Sequence, residues 1–580
     1  MPTPPSLSRR ALVKGVAAAS LLPLLGANLL ACSDSGGSRS EPDVPLPPPG
    51  VAARFEHGVA SGDPLSDRVI LWTRATPEAE GFVEVAWELA EDAEFSRGLR
   101  SGRGRTDAAV DFTVKVDVDG LAPATQYYYR FRVGERVSPV GRTRTAPLGS
   151  VPAATFAVVS CSNYPAGYFH VYREVAVREV DAVLHLGDYL YEYAPGEYAS
   201  ASAEALGRVV DPPSELFSLA DYRRRYAQYR GDGDLQAAHA AHPFIVVWDD
   251  HEIANDTWRE GAENHGAGEG AFSARRAAAI QAWYEWLPVR PPTEVAEIIY
   301  RRQPWGDLLD LLMLDTRVVA RDRQFTYAEL ASGGSIDVAT TRSAIADARR
   351  SLLGDTQLSW LREQLSASAA RWQVLGQQVL MGRYWLPAPI MEALDPTLAD
   401  GNALQAGTAA VLAAVEARNT PEAQRTPEQQ ALLDSAVPYN LDAWDGYAAE
   451  RDALLRFAAD LGSRLVVLAG DTHNAWSSQL RTPEGTVAGV EFATPSVTSP
   501  GLEAVLGEDA AALFAPLMTT LVDDLVYADF SRRGFLTVRF TPEAVEAQWR
   551  YVSDIRESGY QLNAQAERSF TVRRDDLRLV

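Results

Sequence analysis

The sequence predicts an α/β protein built on strands buried on both faces and preceded by a β-rich module. Three observations carry that expectation. After Pro152, short unbroken apolar runs recur, and each stops at a polar, chemically capable residue. Helical stretches at 274–287 and 357–365 lie between these runs. Between residues 55 and 145 the texture instead alternates polar with apolar. Unbroken apolar runs suit strands covered on both faces, whereas period-two alternation suits strands with one wet face.

In chain order, residues 1–32 read as an address. Ser8-Arg9-Arg10 and Lys14 precede an apolar stretch over 15–30, the pattern of a twin-arginine export signal. Leu29-Leu30-Ala31-Cys32 then resembles a lipobox, which would make Cys32 an acylated N-terminus and a lipid anchor; cleavage near Ala31 without a lipid is the alternative. Both readings imply passage through the twin-arginine export machinery to a periplasmic or extracellular location. Residues 33–52 are rich in Ser, Gly and Pro and read as a flexible linker. No later run has the ~20 apolar residues a membrane span requires. Residues 53–148 are expected to form an immunoglobulin-like domain, with strands at 68–73, 83–88 and 113–118. The turn at 121–125 before Tyr127-Tyr128-Tyr129 resembles the tyrosine corner of such sandwiches.

Residues 152–580 hold the chemistry. Phe156-Ala157-Val158-Val159-Ser160 runs into Cys161, and Val183-Leu184-His185-Leu186 into Gly187-Asp188. Ile245-Val246-Val247-Trp248 runs into Asp249-Asp250-His251-Glu252, and Leu311-Leu312-Met313-Leu314 into Asp315-Thr316-Arg317. Val466-Val467-Leu468-Ala469 runs into Gly470-Asp471-Thr472-His473-Asn474. In open α/β sheets ligands gather beyond the carboxyl ends of strands. Five strand ends bearing Cys, Asp, His and Asn therefore describe one site.

The residue types narrow its chemistry. Gly187 lets the Asp188 carboxylate approach two cations, so Asp188 is the expected bridge. Tyr191, three residues on, can add a phenolate, which favours a hard trivalent metal such as Fe(III), and Cys161 can add a thiolate. A metal-held thiolate would explain an unpaired cysteine in an exported chain with only two cysteines. There are eight histidines, too few to favour an imidazole-rich site. His251 and His473 stand beside carboxylates, whereas His57, His170, His185, His239, His242 and His265 are expected to be structural or solvent-facing. Oxygen donors from Asp188, Asp250, Asn255 and Asp471 suit Ca²⁺. The expectation is iron beside calcium, with zinc as the alternative. A net charge of −23, from 77 acidic against 54 basic residues, argues against nucleic acid as a partner. A monomer is expected.

At this point a family resemblance becomes specific. Phe55-Glu56-His57-Gly58-Val59-Ala60-Ser61-Gly62-Asp63-Pro64, followed by Leu71-Trp72-Thr73-Arg74, resembles the N-terminal module of the bacterial alkaline phosphatase D (PhoD) family. Ser160-Cys161-Ser162-Asn163, Gly187-Asp188-Tyr189-Leu190-Tyr191, Trp248-Asp249-Asp250-His251-Glu252 with Asn255, Asp442-Ala443-Trp444-Asp445-Gly446-Tyr447 and Gly470-Asp471-Thr472-His473-Asn474 resemble its catalytic blocks, in order. The resemblance implies a calcineurin-like metallophosphoesterase sandwich of two mixed sheets flanked by helices. It also implies Fe(3+) and Ca(2+), with Zn(2+) or Mn(2+) as alternatives, and hydrolysis of phosphate mono- and diesters for phosphate acquisition. Attack on phosphorus by a metal-activated hydroxide would follow. Cys161, Asp188, Tyr191 and His473 would then hold iron, and Asp188, Asp250, Asn255 and Asp471 calcium. His251 would stabilise or protonate the leaving oxygen, or orient Asp250. Arg317 would clamp a phosphate oxygen or form a structural ion pair, and Gln377 or Gln378 could reach the metals. The segment 400–436 reads as a helical insertion or a lid. A phospholipase D-type phosphodiesterase on the same scaffold is the second enzyme reading. A lipid-anchored binding protein is a third reading, which leaves the strand-end clusters unexplained.

Overall fold

Two mixed β-sheets bring the strand ends together. The computed structural model describes residues 50–292, 297–395, 397–399 and 402–580. The export signal, Cys32 and most of the 33–52 linker lie outside the described residues. Residues 50–580 form one unit with a mixed α/β fold. No helix among the described residues is long and apolar enough to cross a membrane.

Seven strands position the site: β1 (Ala154–Val159), β2 (Ala182–His185), β3 (Pro243–Val246), β4 (Leu309–Met313), β5 (Trp372–Gly376), β6 (Leu465–Ala469) and β7 (Val487–Ala493). In a nine-stranded sheet, β1, β2 and β3 run parallel side by side. In a seven-stranded sheet, β4, β5, β6 and β7 do the same. Apart from Thr155 of β1 and Val487 of β7, every position of these strands is buried, as their apolar runs require. The two sheets share one core, in which Phe156 of β1 meets Trp305 edge to face at 4.8 Å and Val158, Val374, Leu468 and Phe492 are sealed from solvent. Because the strands within each set are parallel, their carboxyl ends share an edge.

The β-rich region divides between two sheets. Val83–Ala90, Arg100–Thr106, Gln126–Val133, Arg136–Val137 and Gly141–Arg144 form an antiparallel sheet of their own. Val59–Gly62, Val69–Arg74 and Thr113–Val118 instead extend the nine-stranded sheet beyond β3, the first of them parallel to it. The Tyr127 hydroxyl accepts the Ala122 N–H at 2.9 Å. Asp63, fully buried, locks this region to the larger part: it accepts from Arg301 at 2.7 Å and from the Arg290 N–H at 2.8 Å.

Helices cover the sheets. Leu219–Arg230 starts at a reciprocal cap between Ser218 and Asp221, which satisfies N–H groups the helix cannot. The expected helices at 274–287 and 357–365 are Phe272–Trp286 and Gly354–Ala367. Within 400–436, helix Ala403–Asn419 packs against Ala388–Leu394, Glu508–Leu521 and the following helix Pro427–Asp434, and none of the described hydrogen bonds or ion pairs of these two helices reaches the strand-end cluster.

Candidate metal centre

The turns that follow β1, β2 and β6 are backbone-strained in the same way. Cys161, Asp188, Asp471 and His473 all hold φ near +60°, at 60°, 55°, 63° and 62°. Left-handed backbone is disfavoured for side chains other than glycine, at about 1–3 kcal/mol each, and persists only where surroundings over-determine it. The surroundings are on hand. The Cys161 N–H donates to the Gly187 carbonyl at 3.2 Å and the Ser162 N–H to the Asp188 carbonyl at 2.8 Å, tying the β1 and β2 turns together. The Ser496 N–H donates to the His473 carbonyl at 3.2 Å. Glu252 accepts from the N–H groups of Asp188, Tyr189 and Asp249 at 3.0, 2.7 and 2.8 Å, fastening the β2 turn to the β3 turn. Gly187 sits at φ +104°, and a Cβ there would lie 2.4 Å from that of Asp249.

Asp188 is the hub of what results. Its Oδ2 accepts the Tyr191 hydroxyl at 2.9 Å and lies 3.9 Å from His473 Nε2, while its buried Oδ1 has no hydrogen-bond partner. Potential ligand atoms of Cys161, Asp188 and His473 fall within 4.8 Å of one another, as do those of Asp188, Asp250 and His251, and those of Asp249, Asp250 and Asp471. The His473 Nδ1–H donates to the Pro500 carbonyl at 2.7 Å, which leaves Nε2 as the lone-pair nitrogen facing Asp188 and Tyr191. Ser499 donates to the Tyr191 hydroxyl at 2.6 Å. Arg225 grips the carbonyls of Tyr191 and Tyr193 from behind.

The electrostatics fit cations. Burial, then the Asp188 carboxylate, pushes the Cys161 thiol and the Tyr191 phenol well up. Burial pushes the Asp249 and Asp471 carboxyls well up, with Arg317 acting against it. Such shifts mark acidic groups crowded in a dry place, and a bound cation reverses them by favouring the deprotonated ligand. Asp249 Oδ2, like Asp188 Oδ1, is buried with no hydrogen-bond partner. A soft thiolate, a phenol and an imidazole on one side of Asp188, with carboxylates on the other, form a donor set for two cations rather than one.

Most of the sequence-derived residues converge here: Cys161, Asp188, Tyr191, Asp250, His251, Asp471 and His473. Asn255 holds a less direct position, its side-chain amide donating to Glu263 at 3.2 Å and its backbone N–H to Glu192 at 2.7 Å. Arg317 forms the ion pair. Fully buried, it donates to Asp249 at 2.5 Å, Asp442 at 2.7 Å and Asp471 at 2.8 Å, so all three nitrogens face carboxylates. Gln378 is scaffold, bridging Thr316 and the carbonyls of Trp248 and Leu314, and Gln377 accepts from Trp444. His185 and His239 are core residues bonded to Tyr172 and Tyr189, and burial drives His185 down to about 3.

Several functional neighbours were not singled out from sequence. Asp249 belongs to the acidic group itself. Glu192 accepts from His251 Nδ1 at 2.8 Å; against burial, which lowers it, Asp250 and Glu192 hold the His251 imidazole well above its ordinary value. Tyr198 lies over the cluster, its ring stacked 5.8 Å from Tyr191 and its hydroxyl 3.3 Å from His473 Nδ1. The acid at 192, one residue past Tyr191, was the available signal for Glu192. Tyr198 sits in a loop whose sequence carries no pattern.

Comparison with known proteins agrees with this geometry. The model of the PhoD-like phosphatase family matches residues 156–549, and that of the PhoD-like phosphatase N-terminal domain matches residues 43–147. Alkaline phosphatase D of Bacillus subtilis (strain 168) is 35% identical over 539 residues, covering 90% of this chain and 81% of that protein. A solved structure described as that of PhoD superposes with a TM-score of 0.73 at 32% identity, covering 92% of this chain and 93% of that one. With both parts of the chain matched, the chain belongs to the PhoD-like phosphatase family.

Proposed function

We propose that the protein is an exported, metal-dependent phosphoric ester hydrolase that releases phosphate from mono- and diesters for phosphate acquisition. The observation that carries this reading is the convergence of Cys161, Tyr191 and His473 on one side of Asp188 and of Asp249, Asp250 and Asp471 on the other. Iron would be held by Cys161, Asp188, Tyr191 and His473, and calcium by Asp188, Asp250, Asn255 and Asp471. Two cations in such a site acidify water and neutralise charge that develops on the phosphoryl group. The two sheets are read as a calcineurin-like sandwich, and the 53–148 strands as an immunoglobulin-like domain before it.

The protein's own residues have separable tasks. His251, kept protonated by Asp250 and Glu192, gives its proton to the departing oxygen. Glu192 fixes which imidazole nitrogen faces the substrate. Pro500 does the same for His473, and Ser499 orients the Tyr191 oxygen. Arg317 balances the acidic group and holds Asp249 and Asp471 at fixed separation. The test is direct: rates on 4-nitrophenyl phosphate and bis(4-nitrophenyl) phosphate, before and after removal of metals. Turnover of both, lost on chelation and restored by iron and calcium, is expected. No turnover of either by metal-replete protein would refute the reading.

A further inference from the structure

Arg317 was the arginine the sequence offered for phosphate, but its nitrogens are taken. Another arginine near the metal centre has donors to spare. Arg533 is 9% exposed, and its Nη2 pairs with Glu503, yet its Nε and Nη1 are buried with no hydrogen-bond partner among the described residues. Leaving a buried charged donor unsatisfied costs at least about 1–3 kcal/mol. An arginine kept in that state beside a cluster of metal ligands is poised for an anion.

Its place in the fold ties it to that cluster by three routes. Arg533 precedes the strand Gly534–Phe540, antiparallel to β1; the ladder that pairs Val158 with Leu536 runs toward Cys161 on one strand and Arg533 on the other. The Gly534 N–H donates to the Ser496 carbonyl at 3.1 Å, and Ser496 in turn holds the His473 carbonyl. Glu503 accepts the Gly501 N–H at 3.0 Å, one residue past the Pro500 carbonyl that orients His473. The same surroundings reach Tyr198: burial, then Cys161, pushes its phenol well up, while Arg533 acts in the opposite direction. Arg230 also has unpartnered nitrogens, but its guanidinium lies 4.3 Å above the Trp72 ring and donates to the His57 carbonyl, so it belongs to core packing.

We propose that Arg533 is a phosphate-binding residue, donating through one of its unpartnered nitrogens, Nε or Nη1, to a non-bridging oxygen of the ester held at the metal centre. Glu503 aims the guanidinium and offsets part of its charge. A charge-assisted bond to a phosphoryl oxygen is among the stronger hydrogen bonds available. The proposal rests on the phosphatase reading for the identity of the ester, although the anion site itself does not.

The experiment is calorimetric titration of metal-replete protein with inorganic phosphate, for wild type, Arg533→Gln and Arg533→Lys, with metal content measured on each. Arg533→Gln is expected to bind phosphate about tenfold to a hundredfold more weakly, with Arg533→Lys between it and wild type and metal content unchanged in both. KM for 4-nitrophenyl phosphate should rise in the same order. Unchanged phosphate affinity in Arg533→Gln would overturn the proposal. Loss of metal or of the fold in both variants would also overturn it, assigning Arg533 to the scaffold. If wild type binds phosphate through Arg533 yet hydrolyses no ester, the anion site stands and the function proposed above fails.

Discussion

Asp188 earns its central position from its neighbours: a glycine before it, Glu252 beneath its N–H and Tyr191 across its carboxylate. His251 offers the sharpest prediction at this scale. Its imidazole is held above its ordinary value, so the proton it supplies is present below that raised value and lost as pH climbs through it. Hydrolysis of an alkyl phosphate, whose leaving oxygen needs that proton, should fall along this limb. His251→Asn should remove the limb and slow the alkyl ester by about 10²–10⁴-fold, while 4-nitrophenyl phosphate, with its better leaving group, suffers far less. Equal losses on both esters, measured across pH, would make His251 a strut for Asp250. Most of the side chains that cluster around Asp188 were legible in sequence because they stand at or just past the end of an apolar run. Asp249, Glu192 and Arg533 were not, because what marks them is a partner or a missing partner far along the chain. Arg317 was visible, but its three carboxylates come from two separate strand ends, Asp249 and Asp471, and from a distant loop, Asp442.

Elements convey those residues through strand direction and tight turns. The β2 turn has no room for a side chain at Gly187, where a Cβ would collide with Asp249 and φ is +104°. Gly187→Ala should therefore separate the β2 and β3 turns, and the expected readout is joint loss of bound metal and activity in a protein whose circular dichroism stays native. Retained metal would show the turns can relax. On β7, Glu491 accepts from Met381, Gly382 and Tyr384, and burial pushes it up to about 7 from an ordinary 4.5. A raised acid contributes stability in full below about 4.5, and that contribution is lost as pH rises through 7. Tm should thus fall from pH 5 to pH 8 more steeply in wild type than in Glu491→Gln; parallel curves would contradict this. The core strands and the long helices were readable from periodicity, which local spacing determines. Sheet membership was not, since nothing in Val69–Arg74 or Thr113–Val118 tells which edge their backbone groups will find.

At the scale of the whole molecule, the β-rich region and the larger part are one structure because they share a sheet and a buried polar knot. Asp63 answers Arg301 and Arg290 there. Removing it in Asp63→Ala takes the carboxylate from two half-buried arginines and leaves a cavity at a fully buried position, so Tm should drop while metal content at low temperature is kept; an unchanged Tm would show the knot to be dispensable. The acidic chain concentrates its own repulsion at the metal centre, where carboxylates crowd around Arg317, and bound cations should stabilise the fold by mass action. The account stands or falls on those cations. Elemental analysis of purified wild-type and Asp188→Asn protein, with phosphatase rates on the same samples, tests it most directly. Two metal ions per wild-type chain are expected, with metal and activity lost together in Asp188→Asn. Full activity in Asp188→Asn, or in wild-type protein stripped of metal, would contradict it.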